Sequence, residues 1–359
     1  MRKDKLLRMK KEKVNLLNSP ANIKTYKDKN VIIEACLKMS KTIQQLALIS
    51  RSEFFMPNLG SLIMGLAWGV NPPIDFIQLI ILMLLSFSII NLSSAIGAQS
   101  NTISDYELDS KDPRKKELVK ALDGFGYNRI RMVLITEFIA TFTLVAVFSY
   151  IKMNPIFLLL WITGISLGCL YSAQPLRIKS KSWLAPVTLI LVLAVLPVLF
   201  AYLTFTIELK PAFLVALAGL GLTVYGVIIP TETRDYFGDK AMNIKTMTVR
   251  LGLAKASLLS IMLLGVGGML IGAAFFNTFS QSKYPLLNLL LSVIAIADLK
   301  VLQKLRKLHA LSSKYENSNS QKSLEQEIVD FSADNPKWII LVTQTYSLIS
   351  IIMLVSKFI

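Results

Sequence analysis

The chain has 359 residues, 53% of them hydrophobic and only 17% charged, where a soluble domain carries about 25% charged residues. That apolar excess excludes a soluble globular protein and points to an all-α, polytopic membrane bundle. Two isolated cysteines, Cys36 and Cys169, exclude a disulfide framework, and a lone histidine, His309, excludes a histidine zinc site or a Ser-His-Asp triad.

Residues 1–50 read as a basic cytoplasmic extension and residues 51–359 as the membrane domain. No cleavable signal peptide is expected, because the first 50 residues lack an uninterrupted apolar core. Within the extension Ile32, Cys36, Met39, Ile43 and Leu46 recur at helical spacing, opposite Glu34, Lys38, Lys41 and Gln45. The pattern predicts an amphipathic helix, lying on the anionic inner leaflet or packed on the cytoplasmic loops. Nine apolar stretches follow, at 54–70, 74–98, 130–151, 155–170, 184–207, 211–230, 256–276, 284–305 and 336–358. About 20 such residues cross a bilayer core of about 30 Å. The polar stretch 312–321 reads as a flexible connection between the last two.

Orientation follows from the cations. The loop after the second stretch carries Lys111, Arg114, Lys115, Lys116, Lys120, Arg129 and Arg131, and the loop after the fourth carries Arg177, Lys179 and Lys181. Basic loops also follow the sixth and eighth stretches, while the opposite side holds only Lys152, Lys210 and Lys283. This positive-inside alternation predicts nine transmembrane helices with the amino terminus in the cytoplasm. It also accounts for the net charge of +16, so no nucleic-acid partner is expected; that would require a basic, aromatic-rich face on a soluble fold.

Acidic residues are scarce, which makes their positions informative. Asn101, Asp105 and Asp109 are spaced i, i+4, i+8, so on a helix they stack along one face. Asp235 and Asp239 form a second i, i+4 pair, with Glu232 one turn earlier. Both clusters end apolar stretches on the cytoplasmic side. Repelling carboxylates become sensible around a shared divalent ion, and Mg2+ is the natural one, taking one or two carboxylates, waters and substrate phosphates. The segment LYSAQPLRIKSKSW adds Tyr171 as a hydrogen-bond donor and Arg177, Lys179 and Lys181 as cations for phosphate oxygens. A lipid diphosphate fits this set, with its head at the cytoplasmic rim and its tail among the helices.

From Arg51 onward these residues resemble the UbiA superfamily of intramembrane prenyltransferases. That family has nine transmembrane helices, an Asn-x-x-x-Asp-x-x-x-Asp motif in the second–third loop and an Asp-x-x-x-Asp motif in the sixth–seventh. YSAQPLRIK is similar to the family's fourth–fifth loop, which offers a tyrosine and a basic residue to the diphosphate. RSEFFMPNLG is similar to its first-helix entry, where an arginine, here Arg51, precedes the span. Thr102 stands where many members carry a further aspartate, and DPRKKELVKALDGFG replaces their Arg-Pro stretch.

The resemblance implies Mg2+-dependent transfer of a polyprenyl group from polyprenyl diphosphate to a lipophilic acceptor, among membrane lipids of the cell membrane. It implies metal ligands Asp105, Asp109, Asp235 and Asp239, diphosphate contacts Arg51, Asn101, Arg177 and Lys179, and catalytic roles for Tyr171 and Lys179. Quinone precursors, chlorophyll-type rings, ether lipids and carotenoids are the acceptor classes implied. Phe54, Phe55 and Tyr225 are available either to an allylic cation through cation–π contact or to packing alone. The competing reading is a secondary transporter with the rim aspartates as cation or proton sites. Transporters place ionisable groups near the midplane, whereas here only Asp298 departs from the rim.

Overall fold

Each apolar stretch of the sequence is helical in the computed structural model, which describes residues 39–181, 183–318 and 322–359. The predicted amphipathic positions Ile32, Glu34, Cys36 and Lys38 lie outside the described residues. The main helices are α1 (Phe55–Gly69), α2 (Phe76–Ser104), α3 (Lys116–Phe125), α4 (Tyr127–Ile151), α5 (Ile156–Ser172) and α6 (Leu184–Leu203). They continue with α7 (Pro211–Ala241), α8 (Leu253–Ser280), α9 (Leu291–Asn317), α10 (Lys322–Ala333) and α11 (Asn335–Ser356). Among the described residues seven helical segments are long and apolar enough to cross a membrane, and α5 is a shorter apolar helix. Side chains such as Phe76, Ile81, Ile139, Met262 and Met269 expose large apolar surfaces on the outside of the bundle. Backbone groups in hydrocarbon must be bonded internally, which a helix achieves by itself. The protein is an integral, multi-pass membrane protein.

Small residues let the helices approach closely, as they do where lipid removes the hydrophobic drive for association. The most extensive contact is between α7 and α8. A side chain at Gly219 would stand 2.8 Å from the Gly267 carbonyl, and one at Gly226 would stand 2.9 Å from the Leu264 nitrogen. Pro230 lies inside α7 and cannot donate to the Gly226 carbonyl one turn earlier. The Ser260 hydroxyl of α8 donates to that carbonyl instead, at 2.5 Å. Asn335 of α11 donates to the next one, Val227, at 2.8 Å. Two neighbouring helices therefore brace α7 at the proline.

Two local expectations change. First, α2 ends at Ser104, and Asp105 caps it with φ −98° and ψ 2° before a short turn Tyr106–Asp109. Asn101, Asp105 and Asp109 thus do not share one continuous helix face. Second, residues 312–317, expected to be flexible, complete α9, because Leu308, Tyr236, Leu253 and Ile328 form a buried cluster beneath them. Tyr315 also donates to Glu325 of α10 at 3.0 Å. Residues 39–49 are helical and pack on the loop elements, the second of the two placements open to the amphipathic helix: Leu46 and Ile49 join Ala121, Leu122 and Phe125 of α3. Met39 and Ile43 remain exposed.

Candidate functional site

A cavity of about 410 Å3 opens between α1, α2, α5, α6 and α7. Its deep walls are apolar, built from Ile89, Leu160, Trp161, Leu193, Leu196 and Phe200. Gly97 and Gly168 face each other there, with backbones close enough that a side chain on either would touch the other. A π-helical turn at Leu191–Val195 turns Val192 and Leu193 into the same space. The rim is charged. Eight of the nine site residues that the family resemblance implies line the cavity: Arg51, Asn101, Asp105, Asp109, Tyr171, Lys179, Asp235 and Asp239; Lys181 does not. The ninth, Arg177, stands behind Asp105, off the cavity wall, with Nη2 3.4 Å from Oδ1.

On the first-motif side, Asn101 accepts a hydrogen bond from Ser172 at the end of α5. Asp105 is buried and ion-paired with Lys179. Burial pushes the Lys179 ammonium below the usual lysine range, against the pull of Asp105. Burial pushes the Asp109 carboxyl up, opposed by Lys115, whose Nζ is 3.7 Å away. Arg51 and Arg177 have φ of 50° and 38°, a left-handed conformation that costs a non-glycine residue about 1–3 kcal/mol and gathers at ligand clamps. Each starts a tight 3-10 turn, Ser52–Phe54 and Ile178–Ser180, that delivers its segment to the rim.

On the other side, Asp235 and Asp239 stand on continuous α7 helix. Arg114 joins the two sides. Its Nε and Nη2 donate to the two oxygens of Asp112, at 2.9 and 2.7 Å, while Nη1 donates to the Arg234 carbonyl at 2.5 Å. That fork holds the Asp112 carboxyl below the usual carboxylate range. Glu232 lines the cavity below Asp235 and accepts from the Thr248 hydroxyl at 2.8 Å.

Sequence reasoning counted Arg114 and Lys115 only as topology-setting cations and gave Thr248 no role. The available signal was the closeness of the two cations to Asp109 in the chain. Of the aromatics, Phe54 lines the cavity, Phe55 packs on Phe87 with ring centroids 5.0 Å apart, and Tyr225 is buried with Ile229 and Ala256. Asp298 lies off the cavity, buried, with both oxygens accepting from Tyr346 at 3.0 Å. Among the described residues no three acidic side chains come close enough to enclose a metal ion by themselves. The carboxylate oxygens at the rim are nonetheless hard donors, suited to an ion that completes its shell with water and phosphate.

The cavity thus grades from a charged rim to an apolar floor inside a multi-pass helical bundle. The chain belongs to the UbiA prenyltransferase family, whose sequence profile matches residues 58–315; it is an intramembrane prenyltransferase. The fold is shared with a UbiA homolog from Archaeoglobus fulgidus solved with GPP and Mg2+, at TM-score 0.56 and 18% identity, covering 84% of this chain and 99% of that one. The same homolog bound to DMAPP and Mg2+ gives TM-score 0.55 at 19% identity, with coverage of 84% and 99%. A digeranylgeranylglyceryl phosphate synthase gives TM-score 0.57 at 16% identity, with coverage of 86% and 99%. No curated protein matches the sequence.

Proposed function

We propose that the protein transfers a polyprenyl group from polyprenyl diphosphate to a lipophilic acceptor within the membrane, with Mg2+ as cofactor. In this reading residues 51–359 form the catalytic domain. Nine helices cross the bilayer, and the amino terminus, the extension 1–50 and the charged rim face the cytoplasm. One observation supports the reading: both carboxylate motifs and Lys179 border a single cavity that also has an apolar wall built from Ile89, Leu160, Leu193, Leu196 and Phe200.

Asp105, Asp109, Asp235 and Asp239 are the residues that would hold Mg2+, which when bound neutralises charge on the diphosphate. Lys179 and Arg51 bind the diphosphate oxygens, Asn101 and Tyr171 orient them, and Arg177 holds Asp105 from behind. As the bond between the prenyl carbon and the diphosphate oxygen breaks, its electron pair leaves with the diphosphate. Positive groups fixed in advance around that oxygen stabilise the charge where it develops, commonly the largest part of catalysis. The apolar walls keep water from the allylic cation until the acceptor attacks it.

The test is purified protein in lipid nanodiscs with geranyl diphosphate and an organic extract of the producing cells' membranes. Release of diphosphate with transfer of label to lipid, lost with EDTA and restored by Mg2+, is the expected result. Flux of cations in proteoliposomes without any such transfer would replace this reading by a transporter.

A further inference from the structure

We infer that Glu232 is the base that takes the proton from the acceptor, a role that rests on the prenyl-transfer reading above. Along the cavity face of α7, Ile228 belongs to the apolar wall, Glu232 follows, and Asp235 and Asp239 reach the rim. At a rise of 1.5 Å per residue, Glu232 lies about 10 Å below Asp239. The reacting carbon of a prenyl diphosphate is the atom where charged head meets hydrocarbon, so it comes to rest at this seam. Glu232 therefore faces the reacting carbon, whereas the aspartates face the phosphates.

Its bonding also sets it apart from three of the four aspartates. Asp105, Asp109 and Asp235 each meet a lysine or arginine. Glu232 accepts instead from a neutral hydroxyl, Thr248, and enters no ion pair among the described residues. Thr248 is 1% exposed, so the anchor is rigid. A carboxylate fixed by a neutral donor keeps an affinity for protons that a neighbouring cation would remove. Tyr171 lines the same cavity.

In the step itself the carbon–oxygen bond of the donor breaks and its electron pair goes to the diphosphate. A lone pair or π pair of the acceptor forms the new bond to the prenyl carbon; the X–H bond then breaks, its electrons stay on the acceptor, and the proton passes to the Glu232 carboxylate. It returns to water when the product leaves. The prenyl diphosphate anion, the neutral acceptor and the carboxylate thus become a prenylated acceptor, diphosphate carrying one more negative charge, and a neutral protonated carboxyl.

The test uses the full chain in phosphatidylglycerol vesicles containing the membrane extract, with geranyl diphosphate carrying 18O at the bridge. Wild type that transfers no geranyl label overturns the prenyl-transfer reading as a whole. Given transfer, Glu232→Gln keeps the size and the Thr248 bond. Transfer should fall by about 100-fold or more, the scale of a general base, while 18O still scrambles into the non-bridging positions of unreacted donor. Equal loss of scrambling assigns Glu232 to the ionisation step and overturns the proposal, as does undiminished transfer. Thr248→Val, which spares the carboxylate, provides the same comparison should the glutamine variant not fold: transfer reduced with scrambling kept supports the base, and parallel loss refutes it.

Discussion

Arg114 stands with Nη1 3.9 Å from Asp235 Oδ1, so a residue five positions beyond the first motif reaches the first carboxylate of the second. The same nitrogen donates to the Arg234 carbonyl, tying the loop that carries Asp109 to α7. Gly238 makes room for this, since a side chain there would stand 3.3 Å from Arg114 Nη2. Replacing Arg114 by Gln should raise KM for geranyl diphosphate at least about tenfold, matching a charged hydrogen bond of about 1.5–3 kcal/mol. Steady-state kinetics decide it: a fall in kcat alone would show that Arg114 does not serve substrate binding.

Asp105→Ala and Asp239→Ala should each lower turnover by about 100-fold or more, the scale of a lost preorganised charge, without loss of membrane insertion. Diphosphate release from protein of normal gel-filtration profile is the measurement. Full activity in either variant removes the proposed metal role.

Lys179 lines the cavity and Arg177 does not, which separates the two cations by experiment. Lys179→Ala should weaken binding of geranyl thiolodiphosphate about tenfold, by loss of a charge-assisted bond. Arg177→Ala should weaken it less, acting only through Asp105. Isothermal titration that ranks them the other way round would place Arg177 on the substrate.

Phe200 closes the deep end of the cavity and packs edge-on against Phe157, with ring centroids 5.1 Å apart. Phe200→Ala should deepen the slot and move donor preference toward longer prenyl chains, at a stability cost of about 3–5 kcal/mol. Competition between geranyl and geranylgeranyl diphosphates reads the shift. An unchanged ratio would place the end of the chain elsewhere.

Gly219→Ala forces a methyl group against the Gly267 carbonyl. Overpacking of this kind costs about 1–3 kcal/mol, so the melting temperature in detergent should fall with the cavity residues untouched. An equal or higher value would mean that α7 and α8 yield easily at this crossing.

The sequence made the membrane class, the helices and the two carboxylate clusters legible because apolar length and scarce acidic residues are local properties. Asp105, Asp109, Asp235 and Asp239 were readable by spacing alone. The break of α2 at Asp105 was not, since a period of four is compatible with one long helix or with a helix, a cap and a turn. Arg114 looked like any interfacial cation until the chain path brought it to α7. Thr248 carried no signal, because its meaning is a single hydrogen bond to a residue sixteen positions away. The helical end of α9 was hidden for a related reason: Ser312 and its polar neighbours suit a loop, and tertiary contacts hold them in a helix, the apolar ones of Leu308 and Tyr315 together with the Tyr315–Glu325 hydrogen bond.

The brevity of α1 and α5, with 15 and 17 residues, bears on how a lipid substrate arrives. At 1.5 Å per residue they measure about 22 and 26 Å, less than the hydrocarbon thickness of about 30 Å. In the proposed reading, where both helices cross the bilayer, the leaflet beside them would thin to match their length. Lipid headgroups there would sit lower than in the surrounding membrane, and an isoprenoid would slide sideways into the enzyme without lifting its tail from oil.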